Sequence, residues 1–493
     1  MRLPKNCLRV DKNRLQIVGI TPNTIFANED VPVEDAAIDE LASLLELETT
    51  AKKMWEVAPE LFSEEPCVSR VSLSPDFHKG AGIPIGTTML TKGMVIPQAV
   101  GNDINCGVRL HITSLTHKEV LAKLDTLEPR LRHLYFEGGR QIPLTQEQRY
   151  HILTQGLKNL PLQLNEGIWK TIDKNQLEKD NTRIRHQGGF DTQGKVWGLD
   201  GYLNTGITRD SQIGSIGGGN HFSEVQYVSK IHKGATAHHW GITIGSVVVM
   251  VHSGSVNVGH LCGEAYSSFV KALYPKVLKY PANGIFPLPN LHPYYPTFWT
   301  ALHNAANFAF ANRFFLSQLM RQAFLEMFGD HQYELVYDTP HNLAWQQEDG
   351  VLHRKGASPA GSFGDGPDEY FGEPVLMPGS MGSSSFLMEG LGNLEALATA
   401  SHGAGRSLSR GQALHHSDAE FQKFLQEFRI ITPIDPKRAD LRNRRDILQK
   451  YYDDLKKEAP YAYKDIKPVV QTLTDARIAE PVAELRPIFT LKG

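Results

Sequence analysis

Apolar residues recur at helical spacing through EDAAIDELASLLELETTAKKMWEVAPELF, residues 34–62, behind a polar turn, and predict a helix there. From 71 to 114 the pattern shortens to β-type runs broken by glycine, VSLSPDFHKGAGIPIGTTML and MVIPQAVGNDINCGVRLHITSL, which places polar residues on tight loops. Residues 116–182 return to helical periodicity with many charges, and 183–219 are glycine-rich and polar, which predicts loops. The run SVVVMVHSGS (246–255) reads as a buried strand with His252 at its end; ELVYDTPHNL (334–343) repeats the arrangement with His341 just past the strand. Strand ends are common places for functional groups. Between them, NFAFANRFFLSQLMRQAFLEMFG (307–329) sets apolar residues at Phe308, Ala311, Phe315, Leu319 and Ala323 ahead of Gly329, predicting a long packed helix. From about 416 the chain reads as charged and helical, then as extended from KPVVQTL to the final LKG.

Composition narrows the class. With 41% hydrophobic and 21% charged residues over 493 positions, the chain is globular and can bury a sizeable core. The N-terminus lacks the apolar core of a signal peptide and no run approaches a membrane span, so a cytoplasmic location away from membranes is expected. Four cysteines without a CxxC describe neither a disulfide framework nor a zinc ribbon. A formal charge of -3 argues against a broad basic footprint, so an anionic partner would have to meet a local patch.

The candidate chemistry sits beside glycines. Asp103 and Cys106 lie three apart in GNDINCGVRL, and His221, His252 and His341 stand in NHF, VHSGS and TPHN. A single histidine is more often a satisfied polar residue than a ligand, but imidazole, carboxylate and thiolate together are the main protein donors to transition metals. Ligand softness suits zinc at least as well as manganese, which leaves the metal open. Asp76 and His78 in DFHKGAGIPIG read as a glycine-rich turn capped by Asp76. In SHGAGRSLSR, His402 precedes Arg406 and Arg410, which on a helix would share a face suited to phosphate. PGSMGSSSF (378–386) could cradle phosphates with backbone N–H groups, though it is not a Walker loop, and PKRADLRNRRDILQK (436–450) reads as a basic surface helix.

These motifs, in this order and together with GGGNHFSEV, YDTPHNLAW, HRKGASPAG and the terminal LKG, resemble the RtcB family of RNA-splicing ligases over residues 76–493. The resemblance implies an α+β fold with a large mixed β core around a metal-lined cleft, one RtcB-like unit over 1–493 and no separable nucleotide domain. It implies GTP-dependent joining of an RNA 3′-phosphate or 2′,3′-cyclic phosphate to a 5′-hydroxyl, in tRNA splicing or RNA repair, with two manganese ions. Asp103, Cys106 and His221 would hold one ion and Cys106, His252 and His341 the other, with His402 as the nucleophile that takes GMP. Guanine-nucleotide contacts carry over onto Asn220, His221, Phe222, Ser223 and Glu224, and onto His341 and Asn342. They carry over further onto Pro378, Gly379, Ser380, Met381 and Ser385, onto His402, Gly403, Ala404 and Gly405, and onto Lys492. Tyr463 matches a tyrosine near the base, Arg406 and Arg410 would hold RNA or nucleotide phosphates, and an archease-type protein is the activator the family implies.

Two departures stand out. Val256 replaces an arginine expected near the RNA phosphates, and QIPLTQEQ stands where a glycine-rich segment often follows position 142, both pointing to a divergent member. The competing readings are a dinuclear metal phosphatase or cyclic phosphodiesterase acting on RNA ends, and a non-catalytic RNA-binding protein. The second would show a lost ligand or nucleophile, and none is lost.

Overall fold

Two sheets carry the motif-bearing segments, in a computed structural model that describes residues 7–493 apart from 20, 163–165, 204–207, 210–211 and 330. The first has seven strands in the order Cys7–Arg9, Arg14–Ile17, Asn23–Phe26, Cys67–His78, Ile85–Lys92, Gly350–Lys355, Asn342–Gln347. The second runs Tyr333–Pro340, Gly107–Thr116, Ser246–Ser253, Phe222–Ile231, Ala479–Leu491, Ser385–Gly390, Pro374–Met377, with Arg429–Ile431 pairing parallel to Ala479–Leu491. The fold is α+β, as expected. His341 is the single residue between a strand of each sheet, so it sits where the chain passes from one to the other.

Register aligns one end of the second sheet. Gly107 pairs with both Ser253 and Pro340, Val108 with His252, and His252 with Phe222. The residues just outside these rungs, Cys106, His221 and His341, are thereby brought to the same edge although they are far apart in sequence. The valine-rich run Val247–Val251 is fully buried, as a strand covered on both faces must be.

Against this sheet lies the long helix, which extends over Tyr295–Phe328 rather than starting at 307. Pro296 fits its first turn, where no N–H partner is lost. The helix is buried on nearly every side from Phe298 to Met320, so it takes Phe308, Phe310, Phe314 and Phe315 into the core together with the polar Asn304, Asn307, Asn312 and Arg313.

Other expectations are corrected. The helix over 34–62 is two helices, Asp35–Leu45 and Leu47–Val57, followed by a short turn at Pro59–Leu61. KPVVQTL is not extended: it belongs to the helix Ile466–Asp475, capped by the Asp465 carboxylate, and buries Ile466, Val469, Val470 and Leu473 at helical spacing. The strand that follows is Ala479–Leu491. Within 183–219, short helical turns at Arg185–Gly188 and Asp200–Leu203 interrupt the expected loops. Part of that stretch and the first six residues lie outside the described residues. Among the described residues, no helix is long and apolar enough to cross a membrane.

Candidate active site

Cys106 lies at the meeting point of the aligned strand ends. Its Sγ is 3.2 Å from His221 Nε2 and 3.3 Å from His252 Nε2, and His252 Nε2 is 3.3 Å from His341 Nε2. Asp103 Oδ2 lies 2.9 Å from His221 Nε2. Two ligand triads result, Asp103–Cys106–His221 and Cys106–His252–His341, each with donor atoms within 4.8 Å of one another and both sharing the thiol.

The chemistry of this donor set fits metal ions. Burial, then the Asp103 carboxylate, push the Cys106 thiol well above its ordinary value, so a thiolate here needs a cation to offset desolvation. Burial, reinforced by neighbouring histidines, pushes His252 and His341 far down, leaving neutral imidazoles with free lone pairs. His221 is oriented through its other nitrogen, whose Nδ1–H donates to the Ile216 carbonyl at 3.0 Å and leaves Nε2 facing the site. Among the described residues, His341 Nδ1 is buried without a hydrogen-bond partner, and His341 Nε2 lies against the His252 imidazole nitrogen.

Asp103 is placed by the helix Val256–Leu273. Its Oδ1 accepts from the Val256 N–H at 3.2 Å and the Ser255 hydroxyl at 3.3 Å, a carboxylate at a helix N-terminus. Only glycine fits at 254, since a Cβ there would stand 2.3 Å from Asp103 Oδ2. Val256 itself holds φ at +42°, a costly value for a β-branched residue, and packs partly buried against the core.

His402 follows the short strand Thr399–Ser401, and its ring centroid is 4.9 Å from that of His341. Asp76 was read as a loop cap; it lies instead inside the strand Cys67–His78, fully buried, with Oδ2 2.6 Å from His402 Nδ1. The same oxygen accepts the His402 backbone N–H at 3.1 Å, and Oδ1 accepts the Ser74 hydroxyl at 2.6 Å. Burial opposes ionisation of Asp76, but the charge and hydrogen bonding of His402, with the Ser74 hydroxyl, hold its carboxyl below the usual range. Gly405, at φ +75°, lets the His402 loop close on this strand, because a Cβ there would be 2.0 Å from the Asp76 carbonyl.

These groups line one cavity of about 580 Å³. Beside the metal-ligand triads and His402, its wall includes Asn220, Phe222, Glu224, Asn342, Tyr463 and Lys492. The segments Pro378–Met381 and Gly403–Gly405 complete that side, together with Arg406 and Arg410. Two of the expected residues stand behind the wall. Ser223, on the opposite strand face from Phe222 and Glu224, meets the Tyr135 hydroxyl at 3.4 Å. Ser385 is buried and braces the Gly379 N–H at 3.0 Å and the Gln226 amide at 2.8 Å.

Two buried carboxylates organise the far end. Burial raises Glu224 to about 7 against the pull of Thr490, Gln226 and Lys492, and burial lowers Lys492 to about 8. The Lys492 ammonium donates to the carbonyls of Gly219 and His221. Glu458, which the sequence reading missed, accepts from Arg406 Nη1 at 3.0 Å, from Arg410 Nε at 3.1 Å and from the Tyr463 hydroxyl. Arg406 also stacks over the Tyr463 ring at 5.1 Å. The two arginines do not share a helix face: the helix begins at Arg410, capped by Ser409, with Arg406 outside it. Nothing in the charged stretch around Glu458 marks it beforehand.

Two buried triads whose donors could hold metal ions stand beside a histidine paired with a buried carboxylate, in a polar cleft with glycine-rich walls, an arrangement suited to metal-assisted chemistry. Comparison with known proteins gives the family: the chain belongs to the RtcB family, whose model, described as tRNA-splicing ligase RtcB, matches residues 61–493. It is 34% identical to the tRNA-splicing ligase RtcB of Thermococcus kodakarensis over 98% of each chain. It is 32% identical to that of Methanococcus maripaludis over 87% of this chain and 89% of the relative. It is 31% identical to the RNA-splicing ligase RtcB of Mycobacterium bovis over 87% of this chain and 98% of the relative.

Proposed function

We propose that the protein is an RNA ligase that uses GTP to join a 3′-phosphate or 2′,3′-cyclic phosphate end to a 5′-hydroxyl end through a histidine-GMP intermediate on His402. The observation that carries this reading is the Asp76–His402 pair facing the His341 side of a thiol-centred double triad inside one cavity.

Asp76 engages Nδ1 of His402, which leaves Nε2 as the nitrogen that attacks the α-phosphate of GTP as pyrophosphate departs. Asp103, Cys106 and His221 would hold one divalent ion and Cys106, His252 and His341 a second. Such ions, when bound, supply positive charge to phosphoryl oxygens in the transition state. Glu224 in its ionised form accepts from the donor edge of guanine, and Lys492 offers a donor to the base carbonyl. The Pro378–Met381 turn offers backbone N–H groups and the Ser380 hydroxyl to phosphates, while Arg406 and Arg410 meet phosphates at the mouth. A 2′,3′-cyclic phosphate is first hydrolysed to the 3′-phosphate; GMP then passes from His402 to that 3′-phosphate, and the 5′-hydroxyl attacks the activated end and expels GMP.

The test is incubation with α-labelled GTP and manganese followed by denaturing electrophoresis. An acid-labile label on the protein that is lost in His402→Ala is expected, and absence of label with every divalent metal would refute the reading. Release of product from a cyclic-phosphate RNA without GTP would favour a hydrolase.

A further inference from the structure

We infer that Asn312 and Arg313, adjacent on the helix Tyr295–Phe328, are positioning residues that hold the two halves of the metal-ligand centre in register. The inference rests on reading that centre as a metal site.

Arg313 is fully buried and reaches three ligand-bearing segments at once. Its Nη1 donates to the Asn105 carbonyl at 2.6 Å and the Ser253 carbonyl at 3.1 Å, the backbone groups directly before Cys106 and directly after His252. Its Nε donates to Asp338 Oδ1 at 2.9 Å, and Nη2 lies 2.8 Å from the same oxygen, three residues before His341. Asp338 is held in turn by Arg109 at 3.2 Å. Gly107 leaves room for this approach, since a Cβ there would stand 3.1 Å from Arg313 Cζ and 2.5 Å from the Thr339 carbonyl.

Asn312 serves the other half. Its Oδ1 accepts the Ser215 N–H at 3.0 Å, while Nδ2 lies 2.9 Å from the Ser215 carbonyl, 3.1 Å from Ser253 Oγ and 3.0 Å from the Gly254 carbonyl. The Ser253 hydroxyl donates to the Ile216 carbonyl at 2.8 Å, the same oxygen that receives the His221 Nδ1–H. A short relay therefore runs from Asn312 through Ser253 and Ile216 to the ring whose Nε2 faces Cys106 and Asp103.

Charge alone does not explain an arginine here. A cation beside a site for two cations is electrostatically adverse, and Asp338 offsets it; what remains is the rigid planar fork, whose donors on separate nitrogens span groups that the single nitrogen of an ammonium is too compact to reach together. Burying it is unfavourable unless its donors are used. Groups behind metal ligands are typically worth ~10–100-fold in metal affinity.

The experiment compares wild type with Ser253→Ala, Asn312→Ala and Arg313→Lys by cobalt titration, reading the thiolate-to-cobalt charge-transfer band, by manganese calorimetry, and by metal-free thermal unfolding. Asn312→Ala and Ser253→Ala are expected to weaken one ion ~10–100-fold and keep the thiolate band with the other. Arg313→Lys is expected to weaken both ions and shift the band. Folded variants that bind two ions with wild-type affinity and an unchanged band overturn the inference. If the two larger changes prevent folding, Ser253→Ala decides, because it removes a single hydroxyl, and wild-type binding in it overturns the relay. Wild type that shows neither band nor heat refutes the metal-centre reading instead.

Discussion

Asp76 Oδ2 engages His402 twice, lying 2.6 Å from its imidazole Nδ1 and accepting its backbone N–H at 3.1 Å. One carboxylate oxygen thus holds the residue's backbone and stands against the Nδ1 edge of its ring. Asp76→Asn is expected to slow nucleotide transfer to His402 by ~100-fold or more while leaving metal stoichiometry intact. Single-turnover labelling beside metal titration checks this, and a wild-type labelling rate in the variant would refute the role.

Because both triads share the thiol of Cys106, its loss should differ in kind from loss of an imidazole. Cys106→Ala is expected to weaken both ions at least ~100-fold, whereas His341→Ala or His252→Ala chiefly weakens one. Manganese stoichiometry by calorimetry separates the cases. Two ions bound tightly to Cys106→Ala would contradict a shared ligand.

Glu224 should give binding and stability opposite responses to pH. Burial raises its folded-state value from 4.5 to about 7, so across that window the folded protein keeps a proton the unfolded chain has released. Stability therefore falls as pH rises through the window, by up to ~3 kcal/mol, while the ionised form that accepts from guanine becomes populated near and above about 7. GTP affinity should rise between about pH 6 and 8, and Glu224→Gln should flatten both profiles. Urea unfolding and nucleotide titration across pH measure them; a wild-type affinity that falls over that range would count against the assignment.

Arg406 and Arg410 share Glu458 but not its burial, with side chains 14% and 58% exposed. Arg406→Gln leaves a buried carboxylate short of a partner and should cost ~3 kcal/mol, whereas Arg410→Gln should cost under ~1 kcal/mol. If Arg410 meets an RNA phosphate, its loss should also reduce the slope of log affinity against log salt by about 0.7. Equal destabilisation by the two variants, or an unchanged salt slope for Arg410→Gln, would defeat these assignments.

Much of the site was legible because its residues fall in short, glycine-flanked motifs at strand ends, and the order of those motifs pointed to the family. The parts that were not legible depend on contacts distant in sequence. Asp76 and His402 are separated by most of the chain, so no spacing rule could distinguish a turn cap from a buried partner of an imidazole. Glu458 lies in a charged helical stretch whose pattern is that of any solvated surface. KPVVQTL misled because its paired valines favour strand locally, while the burial of Ile466, Val469, Val470 and Leu473 on one helical face decides the outcome. Arg406 and Arg410 were placed on one helix by their spacing alone, but Ser409 starts the helix between them.

The strand Ala479–Leu491 is inserted between Phe222–Ile231 and Ser385–Gly390, and Lys492 follows directly from it. Ribosomal synthesis therefore delivers the ligands through His341, then His402, well before the piece that closes the sheet and brings Lys492 to the cavity. The cluster of Cys106, His221, His252 and His341 comes entirely from segments that precede that strand, so the Lys492 side of the cavity waits on a pairing that the cluster itself does not contain.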